Sequence, residues 1–143
     1  MAHTFFEDEF TADIGFTASG RTPEELLIAA ADATMNVMVE DLTEIAGREK
    51  KDLRVEAASL DMALFDLLQE PVFYKDAEEL LLRLAKVAIA EADDRIVVTA
   101  EAWGEQIDQE RHQRLVDVKA VTLHRFKVEE TPEGWSATVV LYI

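Results

Sequence analysis

Asp13, Glu105, Asp108, Lys119 and His124 are the side chains whose types and settings in this 143-residue chain could do chemistry. Asp13 lies between Ala12 and Ile14 at the entry to a predicted strand, where carboxylates are disfavoured. It serves either a site or a turn. Glu105 and Asp108 follow Trp103-Gly104 at a strand end. Their oxygens suit a hard cation, or they decorate a solvated loop. Lys119 interrupts an apolar segment. It either leads its ammonium to water or holds a carboxylate or a partner's phosphate. His124 is a lone strand histidine, the setting of a structural hydrogen bond more often than of a metal ligand.

Other chemistries find no support. There is no Gly-rich phosphate loop, no Gly-x-Ser-x-Gly and no zinc pattern. His3, His112 and His124 do not stand at ligand spacing, and there is no cysteine for a disulfide or a thiolate site. The formal charge is -16, from 30 acids against 14 bases. Such a field repels phosphate backbones and anionic membranes, so tight direct nucleic-acid binding is not expected. A basic protein partner or a bound cation suits it better. The N-terminus lacks a basic region followed by an apolar run, so the expected address is the cytoplasm.

No linker or low-complexity tract divides the chain, and residues 1–143 are expected to form a single domain. Residues 4–10 and 13–19 read as two short strands. Thr22-Pro23-Glu24-Glu25 starts a helix, with Thr22 as cap and Pro23 at the first position. Leu26, Ala30, Ala33 and Val37 continue it at helical spacing. Residues 52–58 alternate like a strand. Ser59 opens a second helix carrying Leu60, Leu64, Leu67 and Leu68, which Pro71 is expected to stop or kink. Residues 80–91 and the β-forming run from Ile96 make a hairpin about Asp93-Asp94-Arg95. Trp103 is expected in the core and Gly104 at a bulge. Residues 117–129 and 135–143 make a last hairpin about Thr131-Pro132-Glu133-Gly134. On a regular strand Val118, Ala120, Thr122, His124 and Phe126 share one face, and Lys119, Val121, Leu123 and Arg125 the other. The expected fold is α+β: two helices on one side of a mostly antiparallel, mixed β-sheet.

Several of these segments together resemble the archease family. The resemblance rests on Thr11-Ala12-Asp13-Ile14-Gly15, then Gly20-Arg21-Thr22 and its helix. It continues through Trp103-Gly104-Glu105 with Asp108 and His112, Lys119-Ala120-Val121-Thr122-Leu123-His124, and the closing strand from Trp135. It implies an archease-like fold and a helper role. Archeases activate the RNA ligase that joins 3′-phosphate or cyclic phosphate ends to 5′-hydroxyl ends in tRNA splicing or RNA repair. They promote guanylylation of the ligase and its repeated turnover. Family members bind a divalent cation (calcium, magnesium or manganese) through the Asp of the first block and an Asp-Ile terminus, and the lysine of the Lys-Ala-Val-Thr block is implicated in activation. These roles fall on Asp13, on Tyr142 and Ile143, and on Lys119.

Two positions depart from the pattern. Tyr142 stands where the family has its second Asp, and Phe10 where it has a His. A neutral phenol is a poor substitute for a carboxylate toward a hard cation, so a weakened or absent cation site is expected. Glu9, Glu105 and the terminal carboxylate are the oxygens left to compensate. The leading expectation is a non-enzymatic activator docking on an RNA ligase with a basic RNA-binding face. Two alternatives are a divergent scaffold or chaperone without the cation site, and a metal-dependent hydrolase using Asp13, Glu105, Asp108 and His124.

Overall fold

The computed structural model describes residues 1–7 and 13–143. In chain order the elements are β1 (Ala2–Glu7), β2 (Ile14–Gly20), α1 (Pro23–Met38), β3 (Glu49–Ala57), α2 (Leu60–Glu78), β4 (Leu80–Ala92), β5 (Arg95–Gln106), β6 (Ala120–Thr131) and β7 (Gly134–Tyr142). A short 3-10 turn, Leu42–Glu44, follows α1. The strands form two sheets rather than one, ordered β1-β2-β7-β6 and β3-β5-β4. Every strand pair in them is antiparallel. Both helices touch both sheets, so the apolar faces of all four layers meet in one core.

The start of α1 follows its sequence. The Glu25 N–H donates to Thr22 Oγ1 at 3.1 Å, and Pro23 occupies the first turn. Ala29, Ala30 and Ala33 are buried beside Leu26, Leu27 and Val37, as an element wrapped on several sides requires. The helix ends at Met38, and Val39 continues in extended form to bridge Arg114.

Pro71 does not stop α2, which runs on to Glu78 and closes on Glu79 in the left-handed conformation (φ 53°). Its missing N–H removes one bond, but the proline is itself buried among Leu64, Leu67, Leu68 and Val72. Packing of that stripe carries the helix across the gap. The run Leu80-Leu81-Leu82 is strand, with all three side chains buried. A segment covered on both faces loses the alternation that would mark it in sequence. The β4–β5 hairpin turns through Asp93 and Asp94, both at positive φ, as a tight two-residue turn demands.

Two expectations on β5 are corrected. Gly104 is not at a bulge: it pairs regularly with Glu49 and Leu82. The irregularity lies between Leu84 and Lys86 on β4. Glycine is needed because a Cβ there would come within 1.6 Å of the Leu81 carbonyl oxygen. Trp103 is 38% exposed rather than core, because Ala102 and Gly104 take the inward positions.

The regular alternation expected along β6 also fails. Between the pairs Thr122–Val140 and Lys127–Thr138, residues 123–126 of β6 stand against Val139 alone. Arg125 in this bulge has φ 57°. The bulge breaks the alternation, and Leu123, His124 and Arg125 within it are all exposed.

Candidate functional site

The site is built at one end of the four-stranded sheet. Asp13, half-buried, immediately precedes Ile14, whose Cα partners are Glu7 in β1 and Leu141 in β7. The next residue of β7 is Tyr142, and it pairs with Ala120 at the start of β6. The Lys119 N–H donates to the Tyr142 carbonyl oxygen at 2.8 Å. Three places far apart in sequence, Asp13, Lys119 and the adjacent Tyr142-Ile143, are thereby brought to one sheet end by strand register.

Lys119 is exposed, and its Nζ lies 5.4 Å from the centroid of the half-exposed Tyr142 ring. Such a contact contributes about 0.5–1 kcal/mol at an exposed site, less than the cost of a core cavity. It holds a cation over the phenol without burying it. Ile143 packs against the core, which anchors the chain terminus beside this pair. A second cation sits over an aromatic nearby: Arg125 is 4.8 Å from the Phe6 ring centroid. Phe6 pairs with Gly15 in β1–β2, and a Cβ at Gly15 would meet the Phe6 ring at 2.3 Å. The glycine of the first sequence block thus lets Phe6 lie flat on the sheet.

Glu105 and Asp108 belong to a different assembly, at the far end of β5. Glu105 is buried rather than on a solvated loop, and both its oxygens are engaged. Oε1 accepts from Arg111 and lies 3.2 Å from Arg48 Nε. Oε2 accepts from the Ala46 N–H at 2.6 Å and pairs with His112 Nε2 at 3.1 Å. The Arg111 guanidinium, with help from Ala46 and His112, holds the Glu105 carboxyl down to about 2 against the desolvation that opposes it. Asp108 caps the following turn, accepting from the N–H groups of Glu110 and Arg111. Its own N–H donates to His112 Nδ1 at 2.9 Å, which leaves the ring proton on Nε2, facing Glu105. This is a structural knot tying residues 44–48 to 105–112.

The sequence candidates are therefore divided. Asp13, Lys119, Tyr142 and Ile143 share one end of the sheet, His124 lies in the β6 bulge, and Glu105 and Asp108 lie in the knot. Phe10 and Glu9 lie outside the described residues. Among the described residues there is no group of three or more His, Asp or Glu able to hold a metal ion. At this sheet end the oxygen donors among the described residues are the Asp13 carboxylate, the Ile143 carboxylate and the Tyr142 phenol. Among the described residues no helix is long and apolar enough to cross a membrane.

Sequence reasoning missed Lys75. It is 4% exposed on α2, and its ammonium donates to Asp76, to Asp117 Oδ1 at 2.5 Å and to the Val118 carbonyl at 2.8 Å. The signal was present: Lys75 continues the Leu64, Leu68, Pro71 and Val72 stripe at helical spacing. Also missed was a groove of about 500 Å³ beside Ile14, lined mainly by Phe5, Phe6, Val37, Leu115 and Val116.

Comparison with known proteins agrees with this architecture. The model of the archease protein family (MTH1598/TM1083) matches residues 4–143. The chain is similar to the protein archease of Pyrococcus furiosus, at 36% identity over 133 residues, covering 92% of this chain and 93% of that one. It is 33% identical over 136 residues to the protein archease of Methanosarcina barkeri, covering 94% and 92% of the two chains. The solution structure of Methanobacterium thermoautotrophicum protein 1598 superposes with a TM-score of 0.85 at 33% identity, over 99% of this chain and 98% of that one. A crystal structure from Thermotoga maritima, described as an archease and possible chaperone, shares the fold at TM-score 0.56 and 21% identity, with both chains fully covered. With residues 4–143 matched by the family model and the fold shared with solved archease-family structures, this chain belongs to the archease family.

Proposed function

We propose that this chain is a non-enzymatic accessory protein that activates an RNA ligase, promoting its guanylylation and turnover in tRNA splicing or RNA repair. The observation that carries the reading is the register that seats Lys119 on Tyr142 beside Asp13 and the chain terminus. An ammonium held on an exposed ring, in a protein of charge -16, is a localised positive contact on an acidic body. The acidic body steers toward the basic RNA-binding face of a ligase, and Lys119 supplies the specific contact once docked. Binding of RNA by this chain itself is disfavoured by the same charge.

The cation that the family implies fits poorly here. A hard divalent ion prefers several charged oxygens, and the described donors are one side-chain carboxylate, the terminus and a neutral phenol. The ring of that phenol already carries the Lys119 ammonium. In this reading activation runs through protein contacts, with calcium, magnesium or manganese held weakly if at all. The test is to add the chain at substoichiometric amounts to a matched ligase with GTP and follow guanylylation. Stimulation beyond one turnover per added molecule is expected; an unchanged rate overturns the reading.

One observation favours a second reading, a chaperone-like scaffold. Phe5, Leu115 and Val116 are 45%, 53% and 39% exposed around the groove beside Ile14. A contiguous apolar surface of this kind is suited to holding another protein. Suppressed aggregation of an unrelated unfolded client, without ligase stimulation, would favour it.

A further inference from the structure

We propose that Lys75 is a positioning residue for Lys119, acting through Asp117 and Val118; the inference rests on the assignment of Lys119 to partner activation. Lys75 closes the buried stripe of α2, where an apolar residue would pack without the cost of dehydrating an ammonium. All three donors of that ammonium find oxygen: Asp76, Asp117 and the Val118 carbonyl. Asp76 and Asp117 are about half exposed (side chains 54% and 52%) and would be hydrated without the lysine. Of the three acceptors only the buried Val118 carbonyl depends on the lysine, and that bond ties α2 to the residue before Lys119. What Lys75 does is hold two consecutive residues of the chain against α2.

Those two residues lead directly into Lys119. The Val118 side chain is fully buried, and the Lys119 N–H bonds the Tyr142 carbonyl at 2.8 Å. Residues 117–119 are thus fastened on one side to α2 and on the other to β7. Of the connection before them, residues 105–112 are tied to residues 44–48 by the Glu105 knot, and residues 113–116 by backbone bonds at the C-terminal end of α1, such as Leu115 N–H to the Met38 carbonyl. Lys75 is the side-chain anchor of the two residues that lead into Lys119 and β6. It fixes the direction in which Lys119 leaves the backbone, and with it the reach of Nζ over the Tyr142 ring.

The test pairs a spectroscopic readout with an activity readout. In the free protein, the side-chain methylene protons of Lys119 should show a ring-current shift from Tyr142. Lys75→Met is expected to move these resonances toward random-coil values and to lower ligase stimulation on the order of tenfold or more, as misplacement of a contact group does. The amide spectrum of β4 and β5 should stay folded. Lys75→Arg, which keeps the charge and several donors, is expected to restore most of both. Unchanged Lys119 resonances in Lys75→Met overturn the proposal, and so does lost stimulation with Lys119 still on the ring. If Lys75→Met fails to fold, Asp117→Ala gives the same readout through the recipient side. A smaller shift in the same direction supports the proposal, and no shift overturns it. Should Lys119→Ala leave stimulation intact, the ligase reading falls, while the resonances still decide the role of Lys75.

Discussion

Lys119 is joined to Tyr142 twice, by its N–H to the Tyr142 carbonyl at 2.8 Å and by its ammonium 5.4 Å from the ring centroid. The backbone bond belongs to the edge of the sheet and survives any side-chain change. The ring contact does not, so backbone position and side-chain chemistry can be separated by substitution.

Lys119→Ala is expected to remove ligase stimulation while changing the stability of the domain by less than about 1 kcal/mol, since an exposed cation–ring contact is worth no more. Thermal melting and a guanylylation assay on the same preparation check the two halves. A melting temperature lowered by many degrees would show that the lysine serves the fold instead.

Tyr142→Asp places a second carboxylate beside Asp13 and the terminus and removes the platform for Lys119. Thermal-shift titration with calcium or manganese is expected to raise the melting temperature of this variant well above its effect on the parent chain, because a ligand bound only by the folded state stabilises it. An equal or larger shift in the parent would show that the donors around Asp13 already make a cation site.

Glu105 gives a pH signature. Its folded pKa, about 2, lies below the ordinary 4.5, so its contribution to stability is complete above the ordinary value. That contribution is lost as pH falls from about 4.5 toward about 2. The difference in melting temperature between the parent and Glu105→Gln should be largest near neutrality and shrink through this window. At neutral pH the substitution is expected to cost about 2–4 kcal/mol, because Arg111 and the neighbouring donors lose a charged acceptor. A difference that is constant with pH would contradict the role assigned to the knot.

Gly104→Ala is expected to destabilise the domain by more than about 3 kcal/mol, or to prevent folding, because the new Cβ would meet the Leu81 carbonyl oxygen in the β4–β5 ladder at 1.6 Å. A denaturant melt measures it, and a change within about 0.5 kcal/mol would mean that the two strands separate without cost.

The elements that write their own local rules were legible in sequence. Thr22-Pro23 announces α1, Asp93-Asp94 announces a turn, and Leu80-Leu81-Leu82 was placed as strand through its partner from Ile96. The failures share a tertiary cause. Pro71 is carried through α2 by packing, and Trp103 is turned outward because Gly104 must sit under Leu81. The bulge at residues 123–126 depends on a register that no local pattern reveals, and so does the division into two sheets. At the site, Asp13 and Lys119 stood out as charges in β-forming surroundings, whereas their meeting with Tyr142 is set by β7 lying between β2 and β6. Lys75 escaped notice because it lies beyond Pro71, where the helix was expected to stop or kink, and because two of its oxygens come from residues 117 and 118, more than forty positions away.

The central claim is most directly tested by guanylylation of a matched RNA ligase with GTP, at one added chain per many ligase molecules, comparing the parent with Lys119→Ala. Stimulation by the parent through repeated turnovers, and its loss in the folded variant, is the expected result. Equal rates with the parent, the variant or neither would contradict it.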